Sequence, residues 1–119
     1  MKIIYNSFIP FKGIFAINLF GVLFIHDRDK NTIITNNILN HEKIHNAQMK
    51  ELGYIFFYLL YFIEWIIRVI IAIIKCKPII HAYYNISFEQ EAYNNSHNFE
   101  YLKTRKHYSF IKYLTTNYI

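Results

Sequence analysis

The first thirty residues carry short apolar runs of Ile, Phe, Val and Leu, broken at Pro10, Gly13, Asn18 and Gly21. The run GIFAINLFGVLFIHD (residues 13–27) predicts two short strands joined around Asn18–Gly21, since β-forming residues flanked by turn formers favour a hairpin. HDRDKNT (residues 26–32) is a polar turn. Thr35 then offers an N-cap for a helix over about 36–52, and Gly53 ends it. From Tyr54 to Ile74 the chain reads YIFFYLLYFIEWIIRVIIAII, without Gly or Pro. A helix over that stretch spans about 30 Å, the thickness of a bilayer's hydrocarbon. Tyr54, Tyr58, Tyr61, Glu64, Arg68, Ala72 and Lys75 recur at steps of three or four, a narrow polar stripe on an Ile/Phe/Leu cylinder. Glu64 and Arg68, four apart, can pair on that stripe. The pattern fits a core or membrane-lying helix whose stripe faces a site. It also fits a bilayer-spanning helix with the pair turned inward. About 120 residues cannot easily wrap such a helix on all sides, which favours membrane contact. Lys-Cys-Lys-Pro closes the segment. A further helix is predicted over about 80–101, followed by a basic, aromatic tail. The expected class is therefore α+β: one domain over 1–119, strands within about 1–30, then three to four helices, one long and very hydrophobic.

Composition changes this picture modestly. Apolar residues make up 54% of the chain, with eleven Phe and eleven Tyr, more than a small soluble domain needs for its core. The net charge is +5, but the lysines are scattered. The densest basic run, YLKTRKHYSFIKY (residues 101–113), mixes charge with aromatics and suggests interfacial anchoring. No recognised nucleic-acid motif accompanies the charge, so no nucleic-acid partner is expected. The single cysteine, Cys76, rules out an internal disulfide and fits a cytoplasmic or membrane-associated location. The N-terminus has no recognisable cleavable signal, because Asn6, Pro10 and Lys12 interrupt its apolar stretch.

The chemistry concentrates in His41-Glu42-Lys43-Ile44-His45. On a helix, residues four apart share a face, so both imidazoles can bind one ion. Glu42, about 100° round, can reach a water at the ion's open position instead of the ion itself. In a chain of this composition the three fixed positions recur by chance roughly 0.015 times. With His41 at zero, Gln48 and Leu52 lie within about 20° of the same line, so the histidine face runs on into a core-facing one. Gln48 is a candidate partner for the histidines or a buried, satisfied amide. A catalytic zinc needs a third protein ligand, and the carboxylates and histidines downstream are Glu51, Glu64, His81, Glu89, Glu91, His97, Glu100 and His107. If 80–101 is one helix, Glu89 falls on the stripe of Ala82, Ile86 and Tyr93, while Glu91 falls about 180° away and reads as a solvated charge. A lone carboxylate on an apolar stripe is costly unless paired or metal-bound, which makes Glu89 the expected third ligand.

The pairing of HEKIH with a downstream EQEA (Glu89–Ala92) resembles the gluzincin branch of zinc metallopeptidases. It implies a minimal zincin-like fold, one Zn²⁺ held by His41, His45 and Glu89, Glu42 as general base, and a peptide or protein substrate. Residues from about Asn40 to about Arg105 also resemble a group of short bacterial proteins that share NHEKIH, FYLLYFIEW and AYYNISFEQEAY. Membrane gluzincins usually carry Asp directly after the alanine. Here that position is Tyr93, a phenol that can donate to a carboxylate or oxyanion but cannot be the anionic partner of a ligand histidine. Tyr93, His97 and Tyr61 are candidates for stabilising an oxyanion. A non-catalytic zinc protein, with His81 or His97 as fourth ligand, is a second reading of these residues. A small membrane protein without metal is a third.

Overall fold

The computed structural model describes residues 1–12 and 14–119; Gly13, read above as a break between strands, lies outside them. The chain is α+β. Three strands, β1 (Ile3–Asn6), β2 (Ala16–Leu19) and β3 (Val22–His26), precede helices α1 (Asn36–Leu52), α2 (Tyr54–Ile74), α3 (Ile80–Asn85), α4 (Ser87–Asn95) and α5 (Tyr101–Thr104), and a 3-10 turn over Ser109–Tyr113. The sheet has the order β1-β3-β2, with β1 parallel and β2 antiparallel to the central strand. Leu23 and Ile25, two apart on β3, are fully buried, as the two-residue period of a strand requires. The β2–β3 hairpin closes through Phe20 and Gly21, both at positive φ (54° and 89°). Positive φ at both loop residues is one of the two turn geometries whose twist matches that of the flanking strands. The Phe20 N–H donates to the Tyr58 hydroxyl, which itself donates to the Asn18 carbonyl, so α2 braces the hairpin.

The bounds of α1 and α2 agree with the pattern. The Thr35 hydroxyl accepts from the Ile38 N–H at 3.2 Å, and Gly53 separates the two helices at φ 68°. The polar stripe of α2 faces the protein along its length. Tyr58 holds the hairpin, Glu64 pairs with Arg68 at 3.5 Å, and Phe57, Arg68 and Ala72 are buried. The opposite face of α2 is exposed and apolar. The helix is long and apolar enough to cross a membrane, by length and composition only.

The single helix expected over 80–101 is instead two, α3 and α4, followed by a turn, and the causes come from other elements. At Ile86 the backbone is extended (ψ 132°). Glu64 of α2 receives both the Ser87 N–H at 2.7 Å and the Ser87 hydroxyl, capping the start of α4 with a carboxylate where the helix dipole favours one. Beyond Asn95, the Asn40 side-chain amide donates to the carbonyls of Asn95, Ser96 and Asn98 at 2.8–3.3 Å. These partners offset the helical hydrogen bonds given up at each end.

A second correction concerns Glu91, which is fully buried, not solvated. The side of α4 that carries Glu91 packs against Gln48 of α1 and is closed over by the C-terminal tail. Phe110 packs against Phe88, the rings tilted by 35° with centroids 4.4 Å apart. Arg105 bridges Glu91 and Glu51, and all three side chains are at most 5% exposed. The Tyr101 hydroxyl adds 2.7 Å to Glu91. The basic tail is thus partly internal, and its arginine bridges two buried carboxylates instead of facing a membrane.

Candidate metal centre

Two helices converge on one buried point. α1 supplies His41 and His45, and α4 supplies Glu89. Their contact atoms, His41 Nε2, His45 Nε2 and Glu89 Oε1, lie 3.0, 3.2 and 3.2 Å apart. Ligands about 2.0–2.1 Å from a tetrahedral zinc are separated by about 3.3 Å, so these spacings are those of one face of such a site. Among the described residues, these three form the group able to hold an ion, all buried. The geometry follows from the anchors already described. Glu64 holds one end of α4 and Asn40, next to His41 in the chain, holds the other, so Glu89 is aimed at the second and third turns of α1.

The hydrogen bonds of Gln48 fix the tautomer of His45. Gln48 Nε2 donates to the Phe88 carbonyl at 3.1 Å and to Glu91 Oε1 at 3.0 Å, both pure acceptors. Its Oε1 therefore faces His45 Nδ1 at 2.8 Å, and that nitrogen must carry the proton. The neutral His45 ring then turns a lone pair from Nε2 towards the cluster, the tautomer a metal ligand needs. Without an ion, protons take its place. Burial disfavours the charged form of His45, but the Glu89 carboxylate beside it, with Glu42 further off, holds its pKa up at about 9. Burial alone would raise the Glu89 pKa, yet His45 and His41 hold it well below the usual carboxylate range.

Two phenols complete the Glu89 environment. Tyr61 donates to Oε2 at 2.7 Å and Tyr83 to Oε1 at 3.2 Å. Burial pushes the Tyr83 phenol far above its ordinary pKa, so it stays a donor. Tyr93 lies 3.2 Å from the Tyr83 hydroxyl, and its ring meets His41 edge-on at 4.5 Å. Burial and the Glu89 charge push its phenol up to about 12, so Tyr93 too is neutral at ordinary pH. Glu42, half-buried, is held by Asn18 of β2, whose Nδ2 lies 3.1 Å from Glu42 Oε2 and 2.9 Å from Asn46 Oδ1. Beside the cluster, Tyr58, Tyr61, Phe62, Trp65 and Tyr83 line an apolar recess of about 410 Å³.

His41, Glu42, His45, Gln48, Tyr61, Glu89 and Tyr93 are therefore brought together. His97 is not: it is exposed on the turn after α4 and outside the cluster. His81, half-buried on α3, also stays outside it. Sequence reasoning missed Tyr83, Asn18 and Arg105. On a continuous helix Tyr83 falls about 100° from Ala82, off the stripe, and only the break at Ile86 turns it towards Glu89. Asn18 reads as a turn former, and nothing local marks it as the partner of a glutamate 24 residues on. Comparison with family models, curated proteins and solved structures finds no match to this chain.

Proposed function

We propose that the protein is a small zinc-dependent peptidase of gluzincin type that works at a membrane. The observation that carries the reading is the buried trio: two imidazole nitrogens and a carboxylate oxygen spaced as one face of a tetrahedral site, with a glutamate directly after the first histidine. Three protein ligands fit a catalytic zinc better than a structural one, which closes its fourth position with protein. His41, His45 and Glu89 hold the ion, and bound zinc would supply Lewis acidity to a water and to a peptide carbonyl.

The remaining work falls to the chain's own groups. Glu42 takes the proton of the attacking water and passes it to the leaving amine, and Asn18 keeps its carboxylate in one orientation. Tyr61 and Tyr83 fix Glu89 through both of its oxygens. Tyr93, neutral and with its ring 4.5 Å from that of His41, is the donor assigned to a developing oxyanion. Gln48 stands between His45 and the Glu91 carboxylate, so anionic support reaches the histidine through an amide although position 93 is a tyrosine. β2 is an edge strand; outside the Asn18 carbonyl, which Tyr58 occupies, its outer edge suits an extended peptide adding as a strand. The exposed apolar face of α2 supports membrane association.

Metal analysis should find about one zinc per chain in the wild type. Glu42→Gln should keep that zinc while its cleavage of a peptide library falls by at least about 10²-fold, the range of lost general-base catalysis. Zinc-free wild type would refute the metal site. Zinc retained with equal, background-level cleavage in both proteins would refute the peptidase. Gln48→Leu should weaken zinc binding about 10- to 100-fold, read by competition with a chromogenic chelator.

A further inference from the structure

We infer that α2 lies flat in a bilayer interface, its outer face in the acyl boundary, and does not span the membrane. This placement is independent of the metal chemistry. Phe56, Leu59, Ile63, Ile66, Ile70 and Ile73 recur at three- and four-residue steps and are all exposed. With Ile63 at zero they fall within about 80° of one line, and Tyr61, Arg68 and Ala72 fall about 140–180° away. The outer face carries no charge, and the helix's two charges are bonded inward. Arg68 donates to the Leu114 and Thr116 carbonyls and to Asn117 Oδ1, and Glu64 receives Ser87.

A lone apolar helix would leave spanning and lying undecided. The deciding observation is where the rest of the molecule sits. Tyr58, near the start of α2, holds the β2–β3 hairpin. Tyr61 holds Glu89, Glu64 holds α4, and Arg68 holds the C-terminal tail. The protein body thus runs alongside α2 through most of its length instead of hanging from one end. If α2 stood across the bilayer, that body would enter the hydrocarbon with it, including α1, which packs on α2 and exposes Lys43 and Lys50. Lying flat, α2 buries only its apolar half and keeps the body in water, as amphipathic interfacial helices do. Exposed Lys75 and Lys77 follow its last turn and suit an anionic headgroup layer. Phe62 and Trp65 border both the outer face and the aromatic recess, so this pose puts the mouth of the recess at the lipid boundary.

Tryptophan depth tests the inference. Trp65 is the only tryptophan. In a Trp65→Phe background, Phe56→Trp, Ile63→Trp and Ile73→Trp place a probe near the start, middle and end of the outer face. The full-length proteins are added to vesicles of mixed phosphatidylcholine and phosphatidylglycerol, with bromines near the glycerol or near the methyl ends of the chains. All three probes should be quenched alike and chiefly by the shallow bromines, at depths of about 5–10 Å. Leu59→Glu with Ile66→Glu should cut vesicle binding by about tenfold or more while circular dichroism is unchanged. Deep quenching at position 63 with shallow quenching at 56 and 73 would mean a spanning helix and overturn the inference. So would absence of vesicle binding, whether the protein is monomeric or, by light scattering, a dimer whose second copy covers the face.

Discussion

Arg105→Met is expected to cost about 3–5 kcal/mol and lower the melting temperature by roughly 10–20 °C, the range for removing one partner of a buried ion network from a domain of this size. Arg105 donates to Glu51 at 2.7 and 2.9 Å, and to both oxygens of Glu91. Methionine fills much of the space but leaves two buried carboxylates without a cation, and their mutual repulsion adds to the desolvation cost. The loss should shrink sharply in the triple variant Arg105→Met, Glu51→Leu, Glu91→Leu, because a network replaced whole leaves no orphaned charge. Thermal melts followed by circular dichroism decide the matter. A single variant melting within about 3 °C of wild type would mean that solvent reaches the carboxylates.

The same network sets an acid limit. Burial raises the Glu51 pKa, but the Arg105 guanidinium and the Tyr108 N–H outweigh it and hold the carboxyl below its ordinary value. A group with a depressed folded pKa stabilises fully above its unfolded value, and that stability is lost as pH falls through the folded one. Acid should therefore loosen the tail, and Glu51→Gln should flatten the dependence below about pH 4.5.

What the sequence displayed and what it hid divide along physical lines. α1 and α2 were legible because their limits are set locally, by a threonine cap, a glycine at positive φ and unbroken apolar periodicity. The trio was legible because four-residue spacing and the cost of a lone buried carboxylate are both sequence-level facts. The breaks at Ile86 and Asn95 were hidden, since the groups that compete for the helix's amides and carbonyls belong to Glu64 and Asn40, far away in the chain. Glu91 shows the limit of periodicity in another way. A helical wheel separates two faces, but it does not say what covers the second. Here a tail whose basic composition suggested a membrane surface supplies Phe110 and Arg105 instead. Gln48 shows the converse. Its position on the histidine face was readable, and its role became definite only once the Phe88 carbonyl and Glu91 fixed which way its amide points.

Glu89→Ala is expected to abolish zinc-dependent stabilisation. If zinc binds the folded trio and not the unfolded chain, zinc at a thousand times its dissociation constant should stabilise the wild type by about 4 kcal/mol, raising its melting temperature by roughly 12–20 °C. Removing Glu89 would delete one of the three proposed ligands and the only negative charge among them, and it leaves the Tyr61 hydroxyl without its acceptor. Two neutral imidazoles at four-residue spacing remain, a site too weak to show that shift. The contrast with Glu91→Gln makes the prediction specific. Glu91→Gln keeps an acceptor for Gln48 but removes the charge behind it, so it should lower zinc affinity only about 10- to 100-fold and preserve a shift at higher zinc. If both variants lost the shift equally, Glu89 would have no special place among the buried carboxylates of α4, and the ligand assignment would fall. If Glu89→Ala kept a wild-type shift, the ion would be bound elsewhere and the 3.0–3.2 Å convergence would be a proton-sharing cluster, two histidines and a glutamate stabilised by hydrogen bonds alone.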